Sequence, residues 1–121
     1  MVKIFFDANF YISLVEQRTA IDLDYFKSHI LFVSPLSIAI LTYLYKYQVP
    51  NQKLITSLDD FHLVTLDQEI IYAALDGPTS DLEDNIQLHS AFEAECDLFL
   101  TEDKRLLSLK FFGKLKIISN L

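Results

Sequence analysis

Apolar positions along the chain fall into short runs. Val2–Phe6, Ile30–Val33, Phe61–Leu66, Leu98–Thr101 and Leu115–Ser119 are rich in aromatic, leucine and β-branched residues, the pattern of strands buried on both faces. The intervening segments have helical spacing. In Phe10–Glu16 and Ala20–Ser28, Leu14, Ile21, Leu23 and Phe26 can face a core while Asp22, Asp24 and Lys27 face water. Leu36–Tyr45 is apolar around most of its circumference and is opened by Ser34 as N-cap and Pro35 at the first helical position. Such a helix is expected to be buried on several sides or to keep a face for a partner, and Tyr43, Tyr45 and Tyr47 suit an interface. Asn51–Asp60 is a further short helix, and Asp67 caps another over Asp67–Leu75. Gly77-Pro78-Thr79-Ser80 is the clearest loop, and Ser80-Asp81-Leu82-Glu83 has capping-box spacing for a helix reaching about Glu95. Asp103–Leu109 is a last short helix. Strands alternating with helices predict the α/β class, a parallel sheet covered on both faces.

At 121 residues the chain fits a single domain, 1–121, able to bury a core of its own. A formal net charge of −7 excludes a protein that holds nucleic acid by a generally basic surface, so any such contact must be local. The charges are unevenly placed: eight of the 17 acids lie between Asp81 and Asp103, and five of the ten bases (Lys104, Arg105, Lys110, Lys114, Lys116) lie in the last eighteen positions. A lone cysteine, Cys96, rules out an internal disulfide, suits a reducing cytoplasm and reads as core. Met1-Val2-Lys3-Ile4 enters a strand without a cleavage pattern, so no targeting peptide is expected. The uncharged run Ser28–Tyr45 is long enough to raise a membrane span, but Pro35 and its polar residues favour strand, turn and helix. His29, His62 and His89 lack zinc-ligand spacing.

Parallel α/β sheets gather their functional residues at the carboxyl ends of the strands. Asp7 follows the first strand, Asp103 follows the Leu98–Thr101 strand, and Asp81 and Asp84 share one face of a helix start. Carboxylates brought together repel one another unless a divalent cation compensates, and hard oxygen ligands select Mg²⁺ or Mn²⁺. Such a centre can hydrolyse a phosphodiester. Asp81 and Glu83 also have a plain structural use, as capping acids stabilised by the helix dipole, and Asp7 or Asp103 could cap the helices that follow them. Spacing leaves both readings open.

Phe6-Asp7-Ala8-Asn9, Val33-Ser34-Pro35-Leu36-Ser37-Ile38-Ala39, Asp81-Leu82-Glu83-Asp84 through Gln87, and Phe99-Leu100-Thr101-Glu102-Asp103, in that order, resemble the PIN-domain series of the VapC-type ribonuclease toxins. The resemblance implies a three-layer PIN-like fold, a central parallel sheet flanked by helices. It implies catalytic, metal-holding roles for Asp7, Asp84 and Asp103, support from Asn9, Asp81 and Thr101, and RNA contacts from Lys104 and Arg105. It further implies Mg²⁺ or Mn²⁺, an RNA substrate, an antitoxin protein as partner, self-pairing through an apolar helix such as Leu36–Tyr45, and no membrane. Two positions depart from the pattern: Ile40 stands where the family usually has a glutamate, and Glu102 where it often has an arginine. The first reading is therefore a metal-dependent ribonuclease. The second is a catalytically weakened PIN domain kept as an RNA-binding or protein-interaction module.

Overall fold

The computed structural model describes residues 1–121. Six strands, β1 (Lys3–Phe6), β2 (Ile30–Val33), β3 (Phe61–Leu63), β4 (Leu98–Leu100), β5 (Phe111–Phe112) and β6 (Leu115–Ile118), form one sheet in the order β3-β2-β1-β4-β6-β5. Six helices accompany them: α1 (Ala8–Val15), α2 (Pro35–Leu44), α3 (Gln52–Thr56), α4 (Gln68–Asp76), α5 (Leu82–Glu93) and α6 (Lys104–Leu107). All pairings are parallel except β5 with β6.

β1 is the central strand because every residue from Ile4 to Phe6 can be buried. Its alternate side chains enter different cores: Ile4 and Phe6 join Phe10, Tyr11, Phe26 and Leu41 on one side of the sheet, while Phe5 joins Leu88, Phe99 and Leu106 on the other. Phe5 and Phe99 stack at 5.6 Å between ring centroids. Full burial of side chains this size stabilises by roughly 1.5–3 kcal/mol each. Cys96 lies in the second core as expected, and burial pushes its thiol up to about 12.

Several expectations need correction. The Ala20–Ser28 segment is a helix only as a short 3₁₀ turn, Leu23–Phe26, capped by Asp22, because its apolar residues are too few to pack a longer one. The β3 strand stops at Leu63 and the α3 helix at Thr56. Asp81 rather than Ser80 caps α5, accepting a hydrogen bond from the Asp84 amide. The apolar α2 is not enclosed: only Ser37 and Leu41 are buried, and Tyr43 and Leu44 lie open. Ser34 and Pro35 begin it as read, so Ser28–Tyr45 is strand, turn and helix, and no helix is long and apolar enough to cross a membrane.

The antiparallel β5 is absent from the sequence reading because two residues make too short a run to register. It exists through Gly113, which opens the two-residue turn to β6 at φ +62. A Cβ there would stand 2.7 Å from the ring of Phe92, so both backbone and space require glycine.

Candidate functional site

Strand order reverses between β1 and β4. β2 and β3 extend the sheet to one side of β1, whereas the chain returns with β4 on the other. At such a reversal the carboxyl ends of two neighbouring strands open a crevice that no crossover covers. Asp7 leaves β1 and Thr101 leaves β4 at that place.

Asp7 is extended, with φ −69 and ψ 169, and its amide donates to the Leu100 carbonyl at 3.1 Å, the last rung between the two strands. Its Oδ1 accepts from the Phe10 amide at 2.8 Å and caps α1. Its Oδ2 accepts from the Thr101 hydroxyl. The same hydroxyl accepts from the Asp103 amide at 3.0 Å, so Thr101, wholly buried, ties Asp7 to the turn that carries Asp103. Asp103 caps α6 by accepting from the amides of Arg105 at 2.8 Å and Leu106 at 3.4 Å, and the Arg105 guanidinium approaches it at 3.8 Å.

The third acid arrives on α5. Helix α5 leads through Glu95 and Cys96 into the amino end of β4, so the start of α5 lies at the carboxyl edge. Two buried amides hold it there. Asn85 donates to the carbonyls of Ala74 at 2.8 Å and Thr79 at 2.9 Å and accepts from the Thr79 amide at 2.9 Å, pinning the loop before α5. Gln87 donates to the Ser37 hydroxyl at 3.2 Å, joining α5 to α2. Glu83 and Asp84 are half-buried, and Asp81 is exposed.

The electrostatics show that these acids share one field. Burial raises the Asp7 carboxyl to about 6 against the pull of its hydrogen bonds from Thr101 and Phe10, and the charges of Asp103 and Glu83 push it the same way. Burial also raises Asp84 to about 6, helped by Asp81, Asp103 and Glu83 and opposed by Arg105. Glu83 is raised by burial and by Asp81. The structure thus brings Asp7, Asp84, Asp103 and Asp81 into one neighbourhood, and adds Glu83. The sequence reading treated Glu83 only as a helix-start acid, because one residue's offset from Asp84 turns it away from the Asp81–Asp84 face.

The remaining expected residues are more loosely placed. Asn9 stands exposed on the first turn of α1, and Lys104 and Arg105 are exposed at the start of α6. Ile40 is half-buried and packs against the core that contains Phe10 and Leu41. The three histidines are apart from the acids and from one another: His29 accepts from the Val2 amide at 3.2 Å, His62 stacks on Phe32, and His89 meets the Gly77 carbonyl at 2.9 Å.

An all-oxygen donor set with several carboxylates and one neighbouring cation, Arg105, fits a hard divalent ion. No three Asp, Glu, His or Cys side chains stand close enough to share one ion directly. Mg²⁺ is commonly held by one or two carboxylates and keeps several waters, so the donor chemistry and this looser spacing agree. The acids lie along the sheet's carboxyl edge. The cavity of about 500 Å³ lined by Leu14, Leu23, Lys53 and Phe61 lies among other elements, and an edge suits a polymeric substrate better than a small one.

No family model and no curated protein sequence matches the chain. Solved structures do. The crystal structure of VapBC2 from Rickettsia felis bound to a DNA fragment from their promoter contains a chain that matches with a TM-score of 0.68 and 9% identity, covering 96% of this chain and 97% of that one. Mycobacterium tuberculosis VapC20, a Sarcin-Ricin loop cleaving toxin, matches with a TM-score of 0.66 and 12% identity, covering 93% and 98%. At these identities the likeness establishes the fold, and that fold is the PIN-like arrangement of the VapC structures.

Proposed function

We propose that this chain is a PIN/VapC-type endoribonuclease that hydrolyses RNA phosphodiester bonds with Mg²⁺ or Mn²⁺ at the edge formed by Asp7, Asp84 and Asp103, one or two of them bound directly and the rest through water. The observation that carries the reading is the buried Asp7 carboxylate at the strand-order reversal, joined to the Asp103 turn through Thr101 and sharing charge repulsion with Asp103 and Glu83. A fold keeps such repulsion where a cation relieves it.

When bound, the cation would polarise the phosphodiester and make water more acidic. The chain's own residues do the rest. Thr101 fixes the Asp7 carboxylate by its hydroxyl and the Asp103 turn by the same oxygen. Asp84 brings a half-buried carboxylate to the same edge from the first turn of α5. Asn9 and Asp81 support the edge, and Lys104 and Arg105 offer cations to the phosphates of the RNA. The likeness to VapBC2 and VapC20 extends the proposal to the toxin of a toxin–antitoxin pair, restrained by a small antitoxin protein.

One observation favours a second reading, the weakened domain kept for binding. Ile40 occupies the place of an expected acid and is packed against the core, so the edge has one acid fewer than the resemblance implies. Loss of an outer-shell partner alone can cost 10–100-fold in affinity or activity. Incubation of single-stranded RNA with Mn²⁺ and either the parent or Asp7→Asn separates the readings. Cleavage by the parent and none by the variant supports the ribonuclease; RNA binding without cleavage by either supports the module.

A further inference from the structure

The last eighteen residues carry Lys104, Arg105, Lys110, Lys114 and Lys116 and no acid. Five bases remain in the first 103 residues against all 17 acids, a formal −12 beside a formal +5. Three of the C-terminal lysines belong to the β5–β6 hairpin: Lys110 precedes β5, Lys114 lies in the turn, and Lys116 is on β6. All three are exposed.

Lysines on an edge strand have an ordinary use, because they discourage edge-to-edge aggregation. Phe111 contradicts that use. It is 57% exposed on the edge strand β5, where an apolar ring invites the pairing that the lysines oppose. Register explains its direction: Phe111 faces Lys116 across the ladder, while Phe112 opposes Leu115. Leu115 is buried, and Phe112 packs edge-on against His89 and Phe92. One aromatic thus seals the core, and its neighbour is presented to solvent beside a lysine.

The hairpin is continuous with the acid edge. Thr101 donates its amide to Ile118 at 3.0 Å, at the carboxyl end of β6. From that point Lys116 lies two residues back along β6 and Lys114 four, roughly 7 and 13 Å at about 3.3 Å per residue. The Lys110 carbonyl accepts from the Ile117 amide at 2.9 Å, which sets Lys110 one rung nearer the carboxyl edge than Lys116, on the outer side of β6. Lys116 shares a face of the hairpin with Phe111, while Lys110 and Lys114 flank β5 at its two ends; cations that follow phosphates beside a ring that stacks under a base are the recognition chemistry of single-stranded nucleic acid.

We propose that the β5–β6 hairpin is a track for single-stranded RNA leading from the acid edge, with Phe111 stacking a base and Lys110, Lys114 and Lys116 holding phosphates. The identity of the polymer rests on the ribonuclease reading, whereas the surface itself does not.

The test is fluorescence anisotropy of a short labelled single-stranded RNA in EDTA over a salt series, so that binding is read without cleavage. Phe111→Ala is expected to weaken binding on the order of 10–100-fold, and Phe111→Tyr to retain it. The triple variant Lys110→Gln, Lys114→Gln, Lys116→Gln is expected to reduce the steepness of log affinity against log salt by about 2, at about 0.7 per phosphate contact. Parent-like binding by Phe111→Ala and by the triple variant would overturn the track, as would no binding by the parent. Equal preference for duplex RNA, or capture by anionic vesicles in place of RNA, would overturn it too. If Phe111→Ala melts early, the triple-lysine variant decides alone. Asp7→Asn separates this surface from the proposed activity: bound RNA with cleavage lost leaves the track standing, while hairpin variants that bind and cleave normally remove the track and leave the ribonuclease.

Discussion

Asp67 and Asp7 perform the same local task. Asp67 opens α4 by accepting from the Ile70 amide at 3.0 Å, and Asp7 opens α1 by accepting from the Phe10 amide at 2.8 Å. Their surroundings differ. Asp67 is exposed, so its cap is satisfied where water also solvates the charge. Asp7 is only 5% exposed, its second oxygen is taken by Thr101, and its carboxyl is raised to about 6. Capping needs none of that burial. The difference teaches that an N-cap aspartate is a complete explanation at Asp67 and an incomplete one at Asp7. What remains to be explained at Asp7 is a carboxylate held where ionisation is unfavourable, next to other acids.

The largest effect should come from substituting the two aspartates in parallel. Asparagine caps about as well as aspartate, so Asp67→Asn should alter stability by less than about 0.5 kcal/mol and leave RNA cleavage unchanged. Asp7→Asn should lower manganese-dependent cleavage by about 100-fold or more. It should also stabilise the metal-free fold at neutral pH by up to about 3 kcal/mol, the free energy of a shift of about two pKa units. Cleavage assays and denaturant melts at pH 7.5 read both. Undiminished cleavage by Asp7→Asn would reduce Asp7 to a buried version of Asp67.

Ile40→Glu should have the next largest effect. Ile40 packs against the core beside Phe10 and Leu41, and a carboxylate placed there should cost about 1–3 kcal/mol. Thermal melts with and without Mn²⁺ measure it. Packing leads us to expect a loss that Mn²⁺ does not restore. Recovery by Mn²⁺ together with faster cleavage would mean that position 40 reaches the acid edge and that one acid is all the site lacks.

The pH response is smaller. Asp7 and Asp84 hold their protons more tightly in the fold than the ordinary value of 3.8, so the folded chain binds more protons than the unfolded chain from about pH 4 to about pH 6. Metal-free stability should therefore fall as pH rises through that window and bear the full penalty at neutral pH. For Asp7 alone the slope cannot exceed about 1.4 kcal/mol per pH unit. Denaturant melts from pH 4.5 to 7.5 give the slope, which should be shallower in Asp7→Asn.

Much of the fold was legible because burial on both faces leaves strands such as Ile4–Phe6 and Leu31–Val33 almost wholly apolar. Capping residues such as Ser34 and Asp67 marked helix starts by their own hydrogen-bonding chemistry. Less local features were not legible. The hairpin depends on one glycine turning beside Phe92, and the exposure of α2 depends on which neighbours the sheet leaves it. At the site, strand-end position correctly brought Asp7 and Asp103 to one edge. Thr101 was known only as a neighbour by resemblance; that its hydroxyl bonds both Asp7 and the Asp103 amide is a fact of the β4 turn. Glu83 was missed because its place in the field comes from how α5 sits against β1 and β4, and no spacing within α5 encodes that.

Calorimetric titration of Mn²⁺ into the parent, Asp84→Asn and Asp67→Asn asks whether the acid edge holds a cation or only caps helices. Asp84 is not the N-cap, a place held by Asp81, and lies half-buried in the first turn of α5, so its removal should disturb binding while the cap stays in place. We expect Mn²⁺ to bind the parent and Asp67→Asn with matching heats and affinity, and to bind Asp84→Asn at least about 10-fold more weakly. Equal heats in all three proteins, or none in any, would contradict a metal centre at this edge.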